Sequence, residues 1–337
     1  MGIDTEDNLK IAIVILNWNG KKLLGQFLPS VIEHSKEATV YVVDNASTDD
    51  SINFVKTAFP LIKIIQNTEN GGYAKGYNDA LKHIEADVFC LLNSDVEVTK
   101  NWLSPIIKTF KNEFNTAIVQ PKLLDFNKRD YFEYAGAAGG FIDKYGYPYC
   151  RGRIFNTIEK DNGQYNDTAE IFWASGACLF IRKHVFNELN GLDEAFFAHM
   201  EEIDLCWRAK NLGYTVKYIG QSTIYHVGGA TLSNTNPKKT FLNFRNSLFT
   251  VTKNAKGNIF LIILTRLVLD GIAGVKFLFE MKPKHTLSIL KAHFSFYRHF
   301  KQLLNKRKST NNKIAYYQKT SVVAHYFLHK KRFFKSL

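Results

Sequence analysis

Three apolar runs in the first hundred residues each stop at side chains able to do chemistry. Ile11–Leu16 ends at Asn17, Thr39–Val43 at Asp44-Asn45, and Val88–Leu92 at Asn93-Ser94-Asp95. A second polar cluster follows much later, His199-Met-Glu201-Glu202-Ile-Asp204 running on to Arg208, and His226 closes another apolar stretch. Carboxylates of this kind accept hydrogen bonds, hold hard divalent cations through oxygen or take up a proton as a general base. Other chemistries are excluded by inspection. There is no G-x-x-x-x-G-K-[ST] phosphate loop, no H-E-x-x-H and no G-x-S-x-G. Gly71-Gly72-Tyr-Ala-Lys-Gly76 spells G-G-x-x-x-G rather than G-x-G-x-x-G, which disfavours a dinucleotide-binding dehydrogenase. Asn and Asp also favour turns in their own right; their recurrence at three strand ends favours a shared site.

The elements that must position these groups alternate. Lys10–Leu16 reads as a buried strand and Lys21–Ser35 as a helix with apolar residues at helical spacing. Thr39–Val43 reads as a strand, followed by a helix with Ser47 or Thr48 as N-cap and Asp49 and Asp50 at its anion-favouring end. Lys63–Gln66, Tyr73–Ile84 and Val88–Leu92 continue as strand, helix and strand. Such alternation predicts a parallel sheet with helices on both faces, and ligands bind such sheets at the carboxyl ends of the strands. Asn17, Asp44, Asn45, Asn93 and Asp95 are therefore expected at one rim. Asn112–Thr168, rich in Gly, Tyr and Asn, predicts loops or an irregular antiparallel patch over the sheet. Order returns with a strand over Ile171–Ile181, a helix over Lys183–Leu189 and another from Glu201 to a C-cap at Gly213.

Five segments together resemble family 2 glycosyltransferases of the GT-A fold, and in particular the rhamnosyltransferase-like branch that builds bacterial surface polysaccharides. They are Val42–Ser51, Asn70–Asn78, Leu91–Asp95, Glu201–Arg208 and Tyr225–Thr231, in the family's order. The resemblance covers about Ile11 to Asn254. It implies a GT-A catalytic domain over 1–254, with a donor half at about 10–110 and an acceptor half at 111–254, and a basic helical region over 255–337. It implies an inverting transfer from a UDP- or dTDP-sugar to a glycan, lipid-linked in this branch, on the cytoplasmic face of a bacterial membrane.

By the same resemblance Asp44 holds the nucleotide, with Asn17, Asn45, Asn70, Lys75, Asn78 and Asn93 lining the pocket. Asp95 takes the last position of the D-x-D motif, whose first position is Asn93 here. With one charge missing, His226 is implied as the further ligand to Mn²⁺ or Mg²⁺. Glu202 is implied as the base, with Glu201 beside it, and Trp173, Ser175, Gly176, Asp204 and Arg208 on the acceptor side. Each residue also has a plainer reading: a capping Asp44, an exposed helix lysine at 75, a structural His226, ordinary packing for Trp173, and an i,i+4 ion pair between Asp204 and Arg208.

Charge divides the chain differently. Lys and Arg number 44 against 31 Asp and Glu, yet every acid precedes Lys282, so the excess belongs to the last segment. An anionic partner is expected at that end. Ile259–Phe279 is apolar enough to raise the question of a span, but Arg266, Asp270 and Lys276 share one side, opposite Leu261, Leu264, Val268, Ile272, Val275 and Phe279. An amphipathic helix in the membrane plane, or one packed on the catalytic domain, fits that pattern. Phe294, Phe296, Tyr297, Phe300, Phe327, Phe333 and Phe334 could enter the interface, and peripheral contact with an anionic membrane is expected rather than nucleic-acid binding. The acidic, polar start of the sequence and four scattered cysteines fit a reducing cytoplasm. Two alternatives remain open: a sugar-nucleotide nucleotidyltransferase, or a non-catalytic module that binds nucleic acid or lipid through the basic tail.

Overall fold

The computed structural model describes residues 9–228, 236–307 and 315–337; the Gly229–Thr231 end of the last motif lies outside them. The elements in order are β1 (Ile11–Asn17), α1 (Lys21–His34), β2 (Ala38–Asp44), α2 (Ser51–Ala58), β3 (Lys63–Gln66), α3 (Gly72–Leu81), β4 (Val88–Asn93), β5 (Val96–Val98), α4 (Ser104–Asn112) and β6 (Thr116–Asp125). The short strands β7 (Gly140–Ile142), β8 (Pro148–Cys150), β9 (Arg153–Ile154), β10 (Thr157–Ile158) and β11 (Thr168–Glu170) follow. Then come β12 (Cys178–Arg182), α5 (Lys183–Glu188), α6 (Glu201–Asn211), β13 (Thr215–His226), α7 (Pro237–Asn254), α8 (Ile259–Phe279), α9 (Pro283–Lys306) and α10 (Val322–Phe327).

The described strands form a nine-stranded sheet of order β11-β13-β6-β12-β4-β1-β2-β3, with β5 against β13. The expected parallel arrangement holds for β3-β2-β1-β4 and again for β6 with β13. Between these blocks β12 runs antiparallel to both β4 and β6, so the sheet is mixed. Alternation along the strands feeds two apolar layers: Ala12 and Val14 of β1 face one, Ile11, Ile13 and Ile15 the other. The irregular middle is a four-stranded antiparallel sheet, β10-β9-β8-β7. Ser47 and Thr48 do not cap a helix: α2 starts at Ser51 behind Asp50, and the two hydroxyl residues hold the preceding loop instead. All four cysteines are buried free thiols.

The C-terminal region is not a detached appendage. Helices α7, α8 and α9 pack against one another, and Phe249 of α7 meets Phe296 of α9. The final segment returns to the small sheet, where Phe334 sits on Phe141 and Tyr149 and the Val322 amide donates to Asp143 at 2.9 Å. Phe296 and Phe334 are thereby used in packing, whereas Phe294, Tyr297, Phe327 and Phe333 are exposed. No helix among the described residues is long and apolar enough to cross a membrane.

Candidate active site

Parallel register sets Asn17 of β1 beside Asp44 of β2. The Asn17 amide donates to Asp44 Oδ1 at 3.1 Å and the Ser47 backbone N–H donates to Oδ2 at 3.0 Å, so Asp44 is buried with both oxygens engaged. The Asn17 side-chain Oδ1 is buried with no hydrogen-bond partner and lies against Gly20, where a β-carbon would collide with it. Asn19, in the left-handed region at φ 52°, accepts from the Thr48 N–H and pins the 47–49 loop. Asn45 donates to Asn70 at 2.9 Å and to the Gly72 carbonyl at 3.1 Å, and accepts from Asn67. The Asn residues after β2 and β3 thus lock the loop leading into α3.

Two residues expected in this pocket are committed elsewhere. Lys75 pairs with Asp79 on its own helix and with Glu69. Asn78 donates to the Leu192 carbonyl and accepts from the Leu192 N–H, a strut between α3 and the segment before α6.

The second cluster forms where β5 pairs with the end of β13, opposing His226 to Val96. His226 Nε2 lies 3.1 Å from Asp95 Oδ1 and 3.4 Å from the Asn93 amide nitrogen. Its Nδ1 faces Glu133 Oε1 at 3.4 Å, an ionic contact without hydrogen-bond alignment, while the other Glu133 oxygen accepts from the Ala135 N–H. Burial works against a charged His226, but Glu133 and Asp95 together raise it to about 10. Asp95 is held below the usual carboxylate range by His226 in spite of its own burial. The donor set suits a hard or borderline divalent ion: one carboxylate oxygen beside one imidazole nitrogen, the ring held from its far side by a second carboxylate. Among the described residues no group of three or more His, Cys, Asp and Glu is placed to hold a metal. Asp95 and His226 would therefore need a diphosphate to complete a coordination shell, and His226 would have to release its proton to ligate.

The third cluster opens α6. Glu201 and Glu202 stand in its first turn, and one carboxylate oxygen of each is buried without a hydrogen-bond partner. Burial raises both carboxyls; Glu202 is pushed up to about 7, and Glu201, which also feels the charge of Glu202, is pushed well above the usual carboxylate range. The Tyr73 hydroxyl, near enough to these two for their charges to raise its own pKa, donates to the Gly176 carbonyl at 2.8 Å. A β-carbon on Gly176 would stand 3.2 Å from that hydroxyl and 3.9 Å from Glu202 Cβ. Next along the chain, the Ala177 carbonyl accepts from the Asn93 N–H at 3.0 Å. The ends of β4 and β12 therefore bring the Asn93-Ser94-Asp95 turn and the Glu201–Glu202 pair to one rim.

The remaining acceptor-side residues divide. Ser175 is buried, its N–H donating to Gln120 and its hydroxyl accepting from Ala177. Trp173 is buried and donates to the Phe141 carbonyl at 2.8 Å, a packing role. Asp204 and Arg208 are not brought to the site. Asp204 is fully buried between Lys253 at 2.8 Å and Arg208 at 2.7 Å, and Arg208 spends its other nitrogens on the Leu189 and Gly191 carbonyls. The i,i+4 ion pair is the correct account of both.

The approach to α6 is unusual: Phe197, His199 and Met200 all have positive φ, each costing of order 1 kcal/mol or more. Asn246 of α7 holds this loop by donating to the Phe196, Ala198 and His199 carbonyls at 3.0, 2.8 and 2.8 Å, and Arg245 adds bonds to Ala195 and Phe196. From the other half of the site, Gly72 presses on the same loop at φ 80°, where a β-carbon would stand 2.7 Å from the Phe197 carbonyl. Sequence reasoning missed Asn246, Glu133 and Tyr73. Only Tyr73 carried a signal, lying within the Asn70–Asn78 motif.

Residues 12–189 match the family described as Glycosyl transferase family 2. The chain belongs to that family. This family 2 glycosyltransferase is 24% identical over 285 residues, 82% of its length and 87% of the relative's, to the low-salt glycan biosynthesis hexosyltransferase Agl10 of Haloferax volcanii. It is 21% identical to the N-acetylglucosaminyl-diphospho-decaprenol L-rhamnosyltransferase of Mycobacterium tuberculosis, over 64% of this chain and 75% of that one. Among solved structures, GalNAc-T7 with UDP, GalNAc and Mn²⁺ superposes with a TM-score of 0.58 at 16% identity, covering 74% of this chain and 48% of the other. That likeness establishes the GT-A fold, and the family establishes a glycosyltransferase.

Proposed function

We propose that this glycosyltransferase moves a sugar from a UDP- or dTDP-sugar to a hydroxyl of a lipid-linked glycan in cell-surface polysaccharide synthesis. The reaction inverts the anomeric carbon and requires Mn²⁺ or Mg²⁺. The observation that carries the reading is that neighbouring strand ends carry two clusters, Asp95 with His226 after β4 and the unpartnered carboxylate oxygens of Glu201 and Glu202 beside Gly176, linked by the Asn93 N–H donating to the Ala177 carbonyl. Glu202 takes the proton of the acceptor hydroxyl as its oxygen bonds to the anomeric carbon. The bond from that carbon to the diphosphate breaks, and the diphosphate leaves with the electron pair. A carboxyl raised to about 7 is well matched to that transfer at neutral pH, and general-base assistance of this kind contributes ~10² to 10⁴-fold. A divalent ion held by Asp95 and His226 would supply charge neutralisation for the leaving diphosphate. Asn17 and Asp44 hold the nucleotide at the neighbouring strand ends.

The Haloferax relative is named for glycan biosynthesis and the mycobacterial one for an N-acetylglucosaminyl-diphospho-decaprenol acceptor, and the second name supports a glycan acceptor on a lipid carrier. A peripheral place on the cytoplasmic face of a membrane belongs to the same reading. The test is a thermal-shift panel of UDP-, dTDP- and GDP-sugars with and without Mn²⁺. A ligand at ~100 times its dissociation constant stabilises by ~2.7 kcal/mol, so a metal-dependent shift with one nucleotide class supports the proposal. No shift with any donor overturns it.

A further inference from the structure

Helix α8 is amphipathic the wrong way round for a soluble protein. Its charged side faces inward. Arg266 and Asp270 are buried and paired at 2.8 Å; Arg266 also reaches the Tyr145 carbonyl and Ser247, and the Tyr147 hydroxyl donates to Asp270. Lys276 does not join them: it is exposed and pairs with Glu280. The apolar stripe Leu261, Leu264, Val268, Ile272, Val275 and Phe279 faces outward, every member between 51% and 86% exposed. A surface helix ordinarily buries that stripe.

Helix α9 continues the pattern. It grips α7 through His285, whose Nδ1 lies 2.7 Å from the Thr240 hydroxyl, and through Phe296. It meets α8 where Thr286 donates to the Gly274 carbonyl and where Phe260 approaches Phe300. Leu287, Leu290 and Phe294, at ~100° per residue, fall on the side opposite His285 and Phe296, and all three are more than half exposed. Contiguous exposed apolar surface of this extent marks an interaction site.

Charge decides what covers it. Lys284 opens α9, and Lys291, Arg298 and Lys301 are exposed along it, with no acid after Glu280, which itself pairs with Lys276 and Lys282, to offset them. A second copy of the chain would set like charge against like. A bilayer with anionic headgroups satisfies the apolar stripe and the cations at once. We propose that the outer face of the α8–α9 hairpin is a docking surface for an anionic lipid bilayer, with both helices lying in the membrane plane. The surface serves whichever sugar is transferred.

The test is flotation of the full chain with vesicles of phosphatidylcholine alone or of equal parts phosphatidylcholine and phosphatidylglycerol. The variants are L264S/V268S/I272S and K291E/R298E/K301E, all at exposed positions, with thermal melting as the check on folding. The chain is expected to float with the anionic vesicles and far less with the neutral ones, and each triple variant to bind about tenfold more weakly or worse. A chain that stays at the bottom of the gradient with both vesicles, or triple variants that bind as well as the parent, overturns the proposal. So does a dimer by light scattering that becomes monomeric in L264S/V268S/I272S while the parent ignores vesicles, which would make a second copy the occupant.

Discussion

The Tyr73 hydroxyl donates to the Gly176 carbonyl at 2.8 Å, tying the first turn of α3 to the strand entrance beside Glu202. The backbone repeats the link, the Tyr73 N–H donating to the Phe197 carbonyl at 3.0 Å. Tyr73→Phe keeps the ring and loses only the hydroxyl. A stability loss of about 1 kcal/mol in urea denaturation, with a larger proportional fall in kcat than in donor affinity, is expected. An equal loss of donor affinity would mean that Tyr73 serves binding rather than alignment.

Glu202→Gln should leave donor binding within about twofold by calorimetry while turnover falls ~10² to 10⁴-fold. The parent enzyme should gain activity as pH rises through about 7, the value to which Glu202 is pushed, because only the ionised carboxyl accepts a proton. Stability should run the opposite way. A carboxyl raised above its unfolded value keeps its proton longer when folded, so Glu202 costs stability as pH rises from about 4.5 to about 7. That slope should flatten in Glu202→Gln, as a melting series across pH would show. If Glu201→Gln stops transfer and Glu202→Gln does not, the roles are exchanged.

Chelation should abolish transfer, and added Mn²⁺ should restore it. Asp95→Ala should lose the response to Mn²⁺ in both the transfer assay and the donor-dependent thermal shift. Full activity in EDTA would remove Asp95 and His226 from the role proposed for them.

Asn246→Ala removes the amide that reaches the Phe196, Ala198 and His199 carbonyls before Glu201, and of these Phe196 keeps its bond from Arg245. Buried acceptors left unmade cost ~1–3 kcal/mol each at most. A destabilisation within that range, accompanied by faster amide exchange confined to residues 195–202, is expected. Uniform exchange across the chain would contradict a local clamp.

Arg266→Ala leaves Asp270 buried without its main partner, with an expected cost of ~3–5 kcal/mol in chemical denaturation. His293, 3.3 Å from Asp270, remains to offset part of this. Replacing Arg266 and Asp270 together by Leu should cost less than Arg266→Ala alone.

Much of the β1–β4 block was legible because each of its strands is a short apolar run with a polar stop, and parallel pairing brings those stops together automatically. The placement of Asn17, Asp44, Asn93 and Asp95 at neighbouring strand ends followed from that rule. Glu133 did not, because it sits in a stretch without periodicity and meets His226 only after β6 and β13 have paired. Asp204 and Arg208 had the spacing of a helix-face ion pair, and that local force governs them. In α8 the two stripes were legible but the direction in which each faces was not. The partners that draw Arg266 and Asp270 inward are Tyr145 and Tyr147, from the distant loop between β7 and β8, and Ser247 of the preceding helix α7.

The placement of β12 bears on the order in which the chain can assemble during synthesis. The block β3-β2-β1-β4 is built wholly from Ile11–Asn93, whereas β6 reaches β4 only through β12 and is flanked on its other side by β13. Domains generally fold from the N-terminus as they emerge. The β3-β2-β1-β4 block is thus expected to gain protease resistance on ribosome-bound chains stalled soon after Asn93 has left the exit tunnel. The edge of β4 then waits, unpaired, until Arg182 has been made.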